Sequence, residues 1–366
     1  MEGATFCIIS IEVGKRFDLW DQDWKIPLQY GIRQVYGENG GPGGLFHSLR
    51  QIPPIIEICE DINLICPDAV VFNFSNPMQR ICHAVTTKFP DLKFIGLCHE
   101  IKSMNRQLPD LMETEMHNIE FRAAGLNHLS ILLEARYKNT GKDGYPIIKQ
   151  NFDAYFSDLV NKHDAKPSKP GAERGVFRKL FKTYGYLPIT TDSHLGEYIQ
   201  WAYSVADHDA ILDFYDNYKE KCLAFYDNKT SYDHYFDLKN LDTHERVVPI
   251  IEGILSDSAY EEPAINIPNN GYIEFLPKDI VVEVPGIINK SGISGISFKN
   301  YPAAFGSLLN SQSGVIQMTT DAVLNASKHS AYLALLADPV VNDSYQAEKL
   351  LNNMLETQGK FLYYLK

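Results

Sequence analysis

A cysteine and a histidine are the residues of this sequence best suited to bind a metal ion. Cys98 follows an apolar run, and His128 lies further along, in Gly-Leu-Asn-His-Leu. On neighbouring strands, a thiolate and an imidazole would form a two-ligand site for Mn, Fe, Co or Zn, with open positions for substrate oxygens. Taken singly, such a cysteine is more often a small buried hydrophobe, and such a histidine a structural residue. Together they indicate a metal-assisted reaction.

Other polar residues leave two interpretations open. Asn76 precedes Pro77 and is either a ligand at a strand end or the cap of a helix. Asp192 and His194, in Thr-Thr-Asp-Ser-His-Leu-Gly-Glu-Tyr, either belong to a site or begin a helix with Glu197 in its first turn. Tyr184 and Tyr186, two of the 21 tyrosines in the chain, lie near this motif. Taken alone, each is explained by packing in a core.

The elements that must position these residues alternate in type along the first third of the chain. The apolar pattern predicts buried strands over 4–13, 69–74 and 92–98, and helices over 55–66 and 77–89. Strands and helices in alternation favour a parallel, doubly wound sheet, in which ligands bind beyond the carboxyl ends of the strands. Asn76 and Cys98 would lie at such ends.

Glycine marks one loop of interest. The stretch 37–44 holds five glycines and one proline, which predicts a bent segment that begins no helix and shapes the active site or a subunit contact. The remaining predictions are a helix over 103–123, a strand over 126–137, an exposed loop over 163–171, a hairpin at Asn270-Gly271 within 265–288, and two or three helices over 302–365.

Composition excludes several classes of protein. The 366 residues suffice for two domains, which we expect over 1–124 and 125–366. A net charge of −12 without a basic stripe disfavours nucleic-acid binding, and no apolar run reaches the ~18 residues of a membrane helix. The six cysteines lack framework spacing, which predicts free thiols in a cytoplasmic protein.

The motifs together resemble glycoside hydrolase family 4, the NAD- and metal-dependent glycosidases. The resemblance covers essentially the whole chain, in the family's order and spacing. It is carried by seven segments: ISIEVG at 9–14, YGENGGPGGLFHSLR at 36–50, FSNPM at 74–78, GLCHEI at 96–101, GLNHL at 125–129, TTDSHLGEY at 190–198 and NNGYIEFLPKDIVVEVPG at 269–286.

The resemblance implies a fold, two cofactors and a set of site residues. The fold is an α/β one: an incomplete Rossmann-like parallel sheet, then an α+β domain like that of lactate and malate dehydrogenases. The cofactors are NAD and Mn2+ or another divalent metal. The implied residues are Cys98 and His128 for the metal; Ser10, Glu12 and Asn73 for NAD; Asn76, Asn127, His99 and His194 for the substrate; and, as base, Asp192 first, then Tyr186 and Tyr184.

The resemblance also implies a reaction on a small α-glycoside or oligosaccharide, in a homodimer or homotetramer. NAD+ takes hydride from C3 of the sugar and the metal assists removal of the C2 proton; elimination, water addition and return of hydride follow. His99-Glu100-Ile101, directly after Cys98, is most similar to the galacturonidase subgroup, which favours a uronic acid or a neutral α-glycoside. A uronic acid would need a local cation, which the sequence does not place.

One departure from the family concerns the start of the chain. The family's Gly-rich dinucleotide-binding turn would precede the first strand found here, so we expect weak binding of NAD by this chain alone. Two alternatives remain: an NAD-dependent 2-hydroxyacid dehydrogenase, which would need no Cys/His metal pair, and a truncated, non-catalytic remnant.

Overall fold

The computed structural model describes residues 2–162, 174–227 and 245–366. Its strands are β1 Phe6–Ile9, β2 Val70–Asn73, β3 Lys93–Gly96, β4 Ile119–Leu126, β5 Leu129–Tyr137, β6 Tyr260–Pro268, β7 Val281–Asn289 and β8 Gly292–Gly295. Its α-helices are α1 Arg16–Gln29, α2 Gly41–Ile65, α3 Met78–Lys88, α4 Ser103–Met112, α5 Tyr145–Lys162, α6 Gly175–Tyr184, α7 Asp192–Gly196, α8 His208–Asp227, α9 Val247–Ser256, α10 Ala303–Leu324, α11 Lys328–Ala337, α12 Ser344–Thr357 and α13 Gly359–Leu362.

The first three strands form the predicted parallel unit. β1 pairs with β2 and β2 with β3, in a register that aligns Ile9 with Asn73 and Asn73 with Gly96. All four residues of β2 are buried, as expected for a strand covered on both faces. The carboxyl ends of the three strands therefore meet at one edge of the sheet.

The same sheet continues into antiparallel strands. Its order is β1-β2-β3-β6-β7-β4-β5, with β8 paired to β7. Gly96 of β3 pairs with Asn266 of β6, and Gly125 of β4 pairs with Glu283 of β7. Strands from the two halves of the sequence are thus bonded to one another, and the predicted domain boundary after residue 124 falls within β4.

Each face of the sheet carries a hydrophobic core. Val71 and Phe72 are neighbours in β2, and their side chains enter different cores because successive residues of a strand point to opposite faces. Phe72 packs in the core that includes Phe152 and Phe177, and Val71 packs in the core that includes Phe46 and Leu350. Both cores consist of buried apolar side chains that cover β2 from either side.

Three sequence predictions need correction or extension. The glycine segment does begin a helix, since α2 starts at Gly41. A Cβ on Gly44 would lie 2.4 Å from the backbone of Asn39, so this close contact requires glycine. The helix predicted over 103–123 ends at Met112, because Glu113 is left-handed (φ 52°) and β4 follows. Four helices, not two or three, finish the chain.

Other predictions are confirmed. β6 and β7 are antiparallel, and Asn270 and Gly271 both have positive φ in the connection between them. All six cysteines are free. No described helix is long and apolar enough to cross a membrane. The loop predicted over 163–171 lies outside the described residues.

Candidate active site

Cys98 and His128 lie side by side. Sγ of Cys98 is 3.4 Å from Nε2 of His128. Cys98 comes two residues after β3, and His128 is in the turn between β4 and β5, where it adopts a left-handed φ of 62°. A histidine in this conformation is uncommon, so the turn must be held by its surroundings. The two elements bring a soft sulfur ligand and a nitrogen ligand together.

The directions of the pKa shifts of Cys98 and His128 are compatible with binding of a divalent cation. Burial holds the pKa of His128 well below its ordinary value, aided by repulsion from His194 and His99, so its imidazole is neutral. Burial and the carboxylates of Glu283 and Glu100 raise the pKa of the Cys98 thiol. A bound divalent cation would displace the thiol proton and meet a neutral imidazole, the forms that metal coordination requires.

The pair opens into a cavity of about 620 Å³ at the carboxyl ends of β1, β2 and β3. This main cavity is where a doubly wound sheet binds its ligands. Six of the residues predicted from the sequence line it: Ser10, Asn76, Cys98, His99, His128 and His194.

His194 is a titratable group that lies beside the metal pair. Its ring centroid is 4.3 Å from that of His128, and its Nδ1 lies 3.7 Å from Oε2 of Glu197. Burial opposes a charge on this imidazole, but the Glu197 carboxylate outweighs burial and raises the pKa of His194 to about 9. Nδ2 of Asn39 also lies 3.4 Å from Nδ1 of His194. Both contacts involve Nδ1, and neither involves the other ring nitrogen, Nε2.

The glycine segment holds Glu197 in place. The Glu197 side chain is fully buried, and its carboxylate accepts hydrogen bonds from the backbone N–H groups of Glu38, Asn39 (3.0 Å) and Gly40 (3.3 Å). A Cβ on Gly40 would lie 2.8 Å from Cβ of Glu197, so this close approach requires glycine. The sequence predicted that the segment 37–44 shapes the active site or a subunit contact. It did not reveal that this segment binds Glu197.

A cation and a wall of aromatic side chains complete the cavity. The Arg16 guanidinium lies 4.2 Å from the centre of the Trp20 ring and 3.7 Å from a carboxylate oxygen of Glu38. Tyr215 stacks on Tyr36 with ring centroids 3.9 Å apart. Sequence reasoning missed these residues, although the tryptophans and tyrosines cluster visibly in 16–24 and 214–218.

Asp192, the first choice for the base, is not among the residues that line the main cavity. The structure buries it completely, and its two carboxylate oxygens accept the backbone N–H groups of Val176 and Phe177, each at 2.8 Å. These are first-turn donors of α6, so Asp192 stabilises the start of that helix. This position, outside the main cavity, speaks against the prediction of Asp192 as the base.

Tyr186 and Tyr184 are also absent from the residues that line the main cavity. They line a second cavity of about 440 Å³, beside β5, together with Tyr145 and Lys149. Tyr184 packs its edge against Phe305, and Tyr186 packs against Tyr145. Neither tyrosine lines the cavity that holds Cys98 and His128, so the same observation speaks against both of them as the base.

Three other predicted site residues do not line the main cavity and bond to protein groups near it. Asn73 is fully buried, and its side chain bonds the backbone of Ser75 in both directions. Asn127 is also buried and donates to Glu283 (2.8 Å). Glu12 contacts His47 at 3.3 Å and Arg16 at 4.0 Å. Their side chains bond protein groups in this structure, and the contacts of Asn73 and Glu12 with NAD and of Asn127 with substrate stay predictions.

Comparison with known proteins decides what this site belongs to. The family model described as family 4 glycosyl hydrolase matches residues 1–114, and the model of that family's C-terminal domain matches residues 123–341. An α-glucosidase from Erwinia rhapontici is 46% identical, over 100% of this chain and 84% of that protein. The chain belongs to the family 4 glycosyl hydrolases.

Two further relatives extend this assignment. An α-galacturonidase from Thermoanaerobacterium saccharolyticum is 31% identical, over 99% of this chain and 81% of that protein. A solved 6-phospho-α-glucosidase from gut microorganisms, in complex with NAD and Mn2+, is 20% identical, covers 98% of this chain and 82% of its own, and superposes with a TM-score of 0.82. The family's fold, with its Rossmann-like part and C-terminal domain, is therefore confirmed. The protein is a glycosidase, not a hydroxyacid dehydrogenase.

Proposed function

We propose that this family 4 glycosyl hydrolase cleaves small, neutral α-glycosides with the aid of NAD and a divalent cation, Mn2+ first among the candidates. The observation that carries the proposal is the 3.4 Å approach of Cys98 and His128 inside the main cavity. The name of the 46% identical relative, an α-glucosidase, supports the α configuration. Several relatives share the family but differ in the sugar, so the substrate has to be argued from the cavity.

The cation would be held by Cys98 and His128. No cluster of three histidine, cysteine or acidic ligands occurs in the part of the chain that the structure describes, so two protein ligands leave coordination positions for substrate oxygens. A neutral imidazole beside a displaceable thiol proton fits a divalent cation. When bound, the cation supplies Lewis-acid polarisation of the sugar oxygens.

NAD would bind at the carboxyl ends of the parallel strands. Ser10 after β1, Phe74 after β2 and Cys98 after β3 all line the main cavity, which is the position of nucleotides on doubly wound sheets. When bound, the nicotinamide supplies a hydride acceptor. Asn73 and the Ser75 hydroxyl, which bonds the backbone of Ile11, keep the ends of β1 and β2 together.

His194 is our candidate for the proton-transfer residue, in place of Asp192, Tyr186 and Tyr184. It borders both the metal pair and the open cavity, and Glu197 fixes the direction of its ring. With Nδ1 turned toward Glu197 and Asn39, Nε2 is the atom that would take or return a substrate proton. An imidazole oriented by a buried carboxylate is a common arrangement for general acid and base catalysis.

The charges of the cavity favour a neutral sugar over a uronic acid. Among the described lining residues, Arg16 carries the guanidinium, and three residues carry carboxylates: Glu38, Glu100 and Glu245. Arg16 already faces Glu38 at 3.7 Å and Glu12 at 4.0 Å. His99 lies 3.8 Å from Glu100 and 3.5 Å from Glu245, so the described cationic and imidazole groups of the lining already face carboxylates. An anionic sugar would have to compete with those carboxylates for a cation, whereas sugar hydroxyls can bond to them.

A substrate panel tests this proposal. The purified protein is assayed on nitrophenyl α-glucoside, α-galactoside and α-galacturonide, with NAD+ and Mn2+ each withheld in turn. We expect the α-glucoside to be cleaved fastest, and its cleavage to stop when either cofactor is withheld. Cleavage of the galacturonide alone would contradict the neutral substrate, and cleavage without cofactors would contradict the chemistry. No turnover under any condition would favour the non-catalytic alternative.

We also propose that the protein works in the cytoplasm as a homodimer or homotetramer. Six free thiols suit a reducing compartment. Large apolar side chains on the surface suit subunit contacts, among them Ile8 on β1 (55% exposed) and Leu64 on α2 (81% exposed). Light scattering of the purified protein measures the assembly, and a monomer at all concentrations would contradict it.

A further inference from the structure

Glu283 of β7 is a buried carboxylate next to the metal pair. Its side chain is nearly inaccessible, at 4% exposure. Its oxygens accept hydrogen bonds from Asn127 Nδ2 (2.8 Å), Ser130 Oγ (3.0 Å) and Asn266 Nδ2 (3.3 Å). All three partners are neutral, and no ion pair involves Glu283 within the described residues.

Two of the three partners flank His128, and the third bonds the strand that leads to Cys98. Asn127 directly precedes His128 in the strained turn, and Ser130 comes two residues after it. Asn266 pairs with Gly96 at the end of β3, and its Nδ2 lies 3.3 Å from the carbonyl oxygen of Gly96. One carboxylate therefore connects the end of the strand that leads to Cys98 with the turn that carries His128.

The burial of this carboxylate favours a cation nearby. Burying a charge among neutral partners is unfavourable unless an opposite charge compensates it, and hydrogen bonds compensate only in part. The Glu283 charge also acts on Cys98 and opposes formation of a thiolate there. A divalent cation between Cys98 and His128 would balance both negative groups.

We propose that Glu283 is a positioning residue of the metal site: it holds the segments of both ligands in register and supplies negative charge that strengthens binding of a divalent cation. This inference rests on the proposed function, because it requires that the Cys98 and His128 pair bind a cation. It adds a carboxylate that contacts neither substrate nor metal in the proposed arrangement.

Binding of Mn2+ alone, without NAD or substrate, tests the role of Glu283. The electron paramagnetic resonance signal of free Mn2+ is titrated with the full chain, as wild type, Glu283→Gln and Ser130→Ala. Outer groups that orient metal ligands usually contribute 10- to 100-fold to affinity, so we expect Glu283→Gln to weaken Mn2+ binding by about that factor. Ser130→Ala removes one hydrogen bond but keeps the charge, and its affinity should stay within about threefold of wild type.

The outcomes separate the two proposals. If wild type binds Mn2+ and Glu283→Gln binds it equally well, the role of Glu283 is overturned, even if the variant melts at a lower temperature, because a merely structural role would move only the melting temperature. If wild type binds no Mn2+, the metal proposal itself fails. If Glu283→Gln does not fold, Glu283→Asp replaces it: the shorter carboxylate should weaken binding severalfold, and wild-type affinity would overturn the inference.

Discussion

The main cavity and the second cavity have comparable volumes and very different chemistry. The main cavity, about 620 Å³, gathers a thiol, two adjacent imidazoles and buried carboxylates from separate segments. The second, about 440 Å³, is lined by three tyrosines and by charged side chains, but among its described lining residues there is no thiol and no imidazole. Size therefore does not mark the site. The site is marked instead by a thiol, imidazoles and carboxylates that face the same open volume. The following variants test the contrast between the two cavities.

The largest effect is expected from Cys98→Ser. A hydroxyl is a poorer ligand than a thiolate for the proposed cation, and the loss of Lewis-acid assistance removes several kcal/mol of transition-state stabilisation. We expect kcat/KM for the α-glucoside to fall about a thousandfold. Cys222→Ser, on α8, is the matched control and should keep near wild-type activity. Equal activity of Cys98→Ser and wild type would remove the proposed metal site.

His194→Gln should have the next largest effect. Glutamine is close in size and keeps a polar end, but it cannot take up a proton at the position of Nε2. Loss of a general acid or base usually lowers kcat by about 10²- to 10⁴-fold, and that range is expected here. Mn2+ affinity, measured in parallel, should change little. Full activity of His194→Gln would return the search for the base to other residues.

Glu197→Gln is expected to act through His194. The neutral amide loses the charge that orients the imidazole and meets one of the backbone N–H groups of 38–40 with a donor. We expect kcat to fall about 10- to 100-fold, as for other buried groups that orient a site residue. Thermal unfolding should show a loss of about 1–3 kcal/mol. A drop in stability with unchanged kcat would show that Glu197 only holds the loop.

Asp192→Asn separates a structural carboxylate from a catalytic one. Its oxygens bind the first turn of α6, so the variant should lose about 1 kcal/mol of stability. Because Asp192 does not line the main cavity, kcat per folded molecule should stay within about threefold of wild type. Chemical denaturation and steady-state kinetics on the same preparation measure both. A hundredfold fall in kcat would restore Asp192 as the base.

The smallest effect is expected from Tyr186→Phe and Tyr184→Phe in the second cavity. Each substitution removes a hydroxyl at a partly exposed position and keeps the packed ring, so stability should change by less than about 0.5 kcal/mol. The kcat should stay within about twofold of wild type. A large loss of activity in either variant would mean that the second cavity takes part in the reaction.

The sequence predicted the parts of the site that follow from strand ends. Buried parallel strands are continuous apolar runs, so β2 and β3 could be located and Cys98 placed after β3. The motif around 190–198 indicated a helix at the site but could not tell which side of it faces the cavity. Asp192 and His194 are two residues apart, and such positions on a helix point in different directions. The resemblance favoured the Asp192 carboxylate as the base, whereas the structure presents the His194 imidazole to the main cavity.

Long-range pairing decided what the sequence could not. Tyr184 and Tyr186 were predicted near the metal, but the segment after them bonds to β5, where the Leu132 N–H meets the Leu187 carbonyl and the Ile189 N–H meets the Ser130 carbonyl. These hydrogen bonds place the segment beside β5, where both tyrosines line the second cavity. Glu197 binds backbone N–H groups of 38–40, and Glu283 binds Asn127 and Ser130; both sets of partners are more than 100 residues away in the chain, and no local pattern encodes such contacts.

The central claim is that a cysteine and a histidine at the sheet edge hold the cation of a glycosidase. Crystals of the protein grown with Mn2+ and measured at the manganese absorption edge test it directly. The account predicts an anomalous peak within bonding distance of both Cys98 Sγ and His128 Nε2, with open positions toward the main cavity. A fully occupied manganese peak elsewhere in the protein, with none between these two atoms, would contradict it.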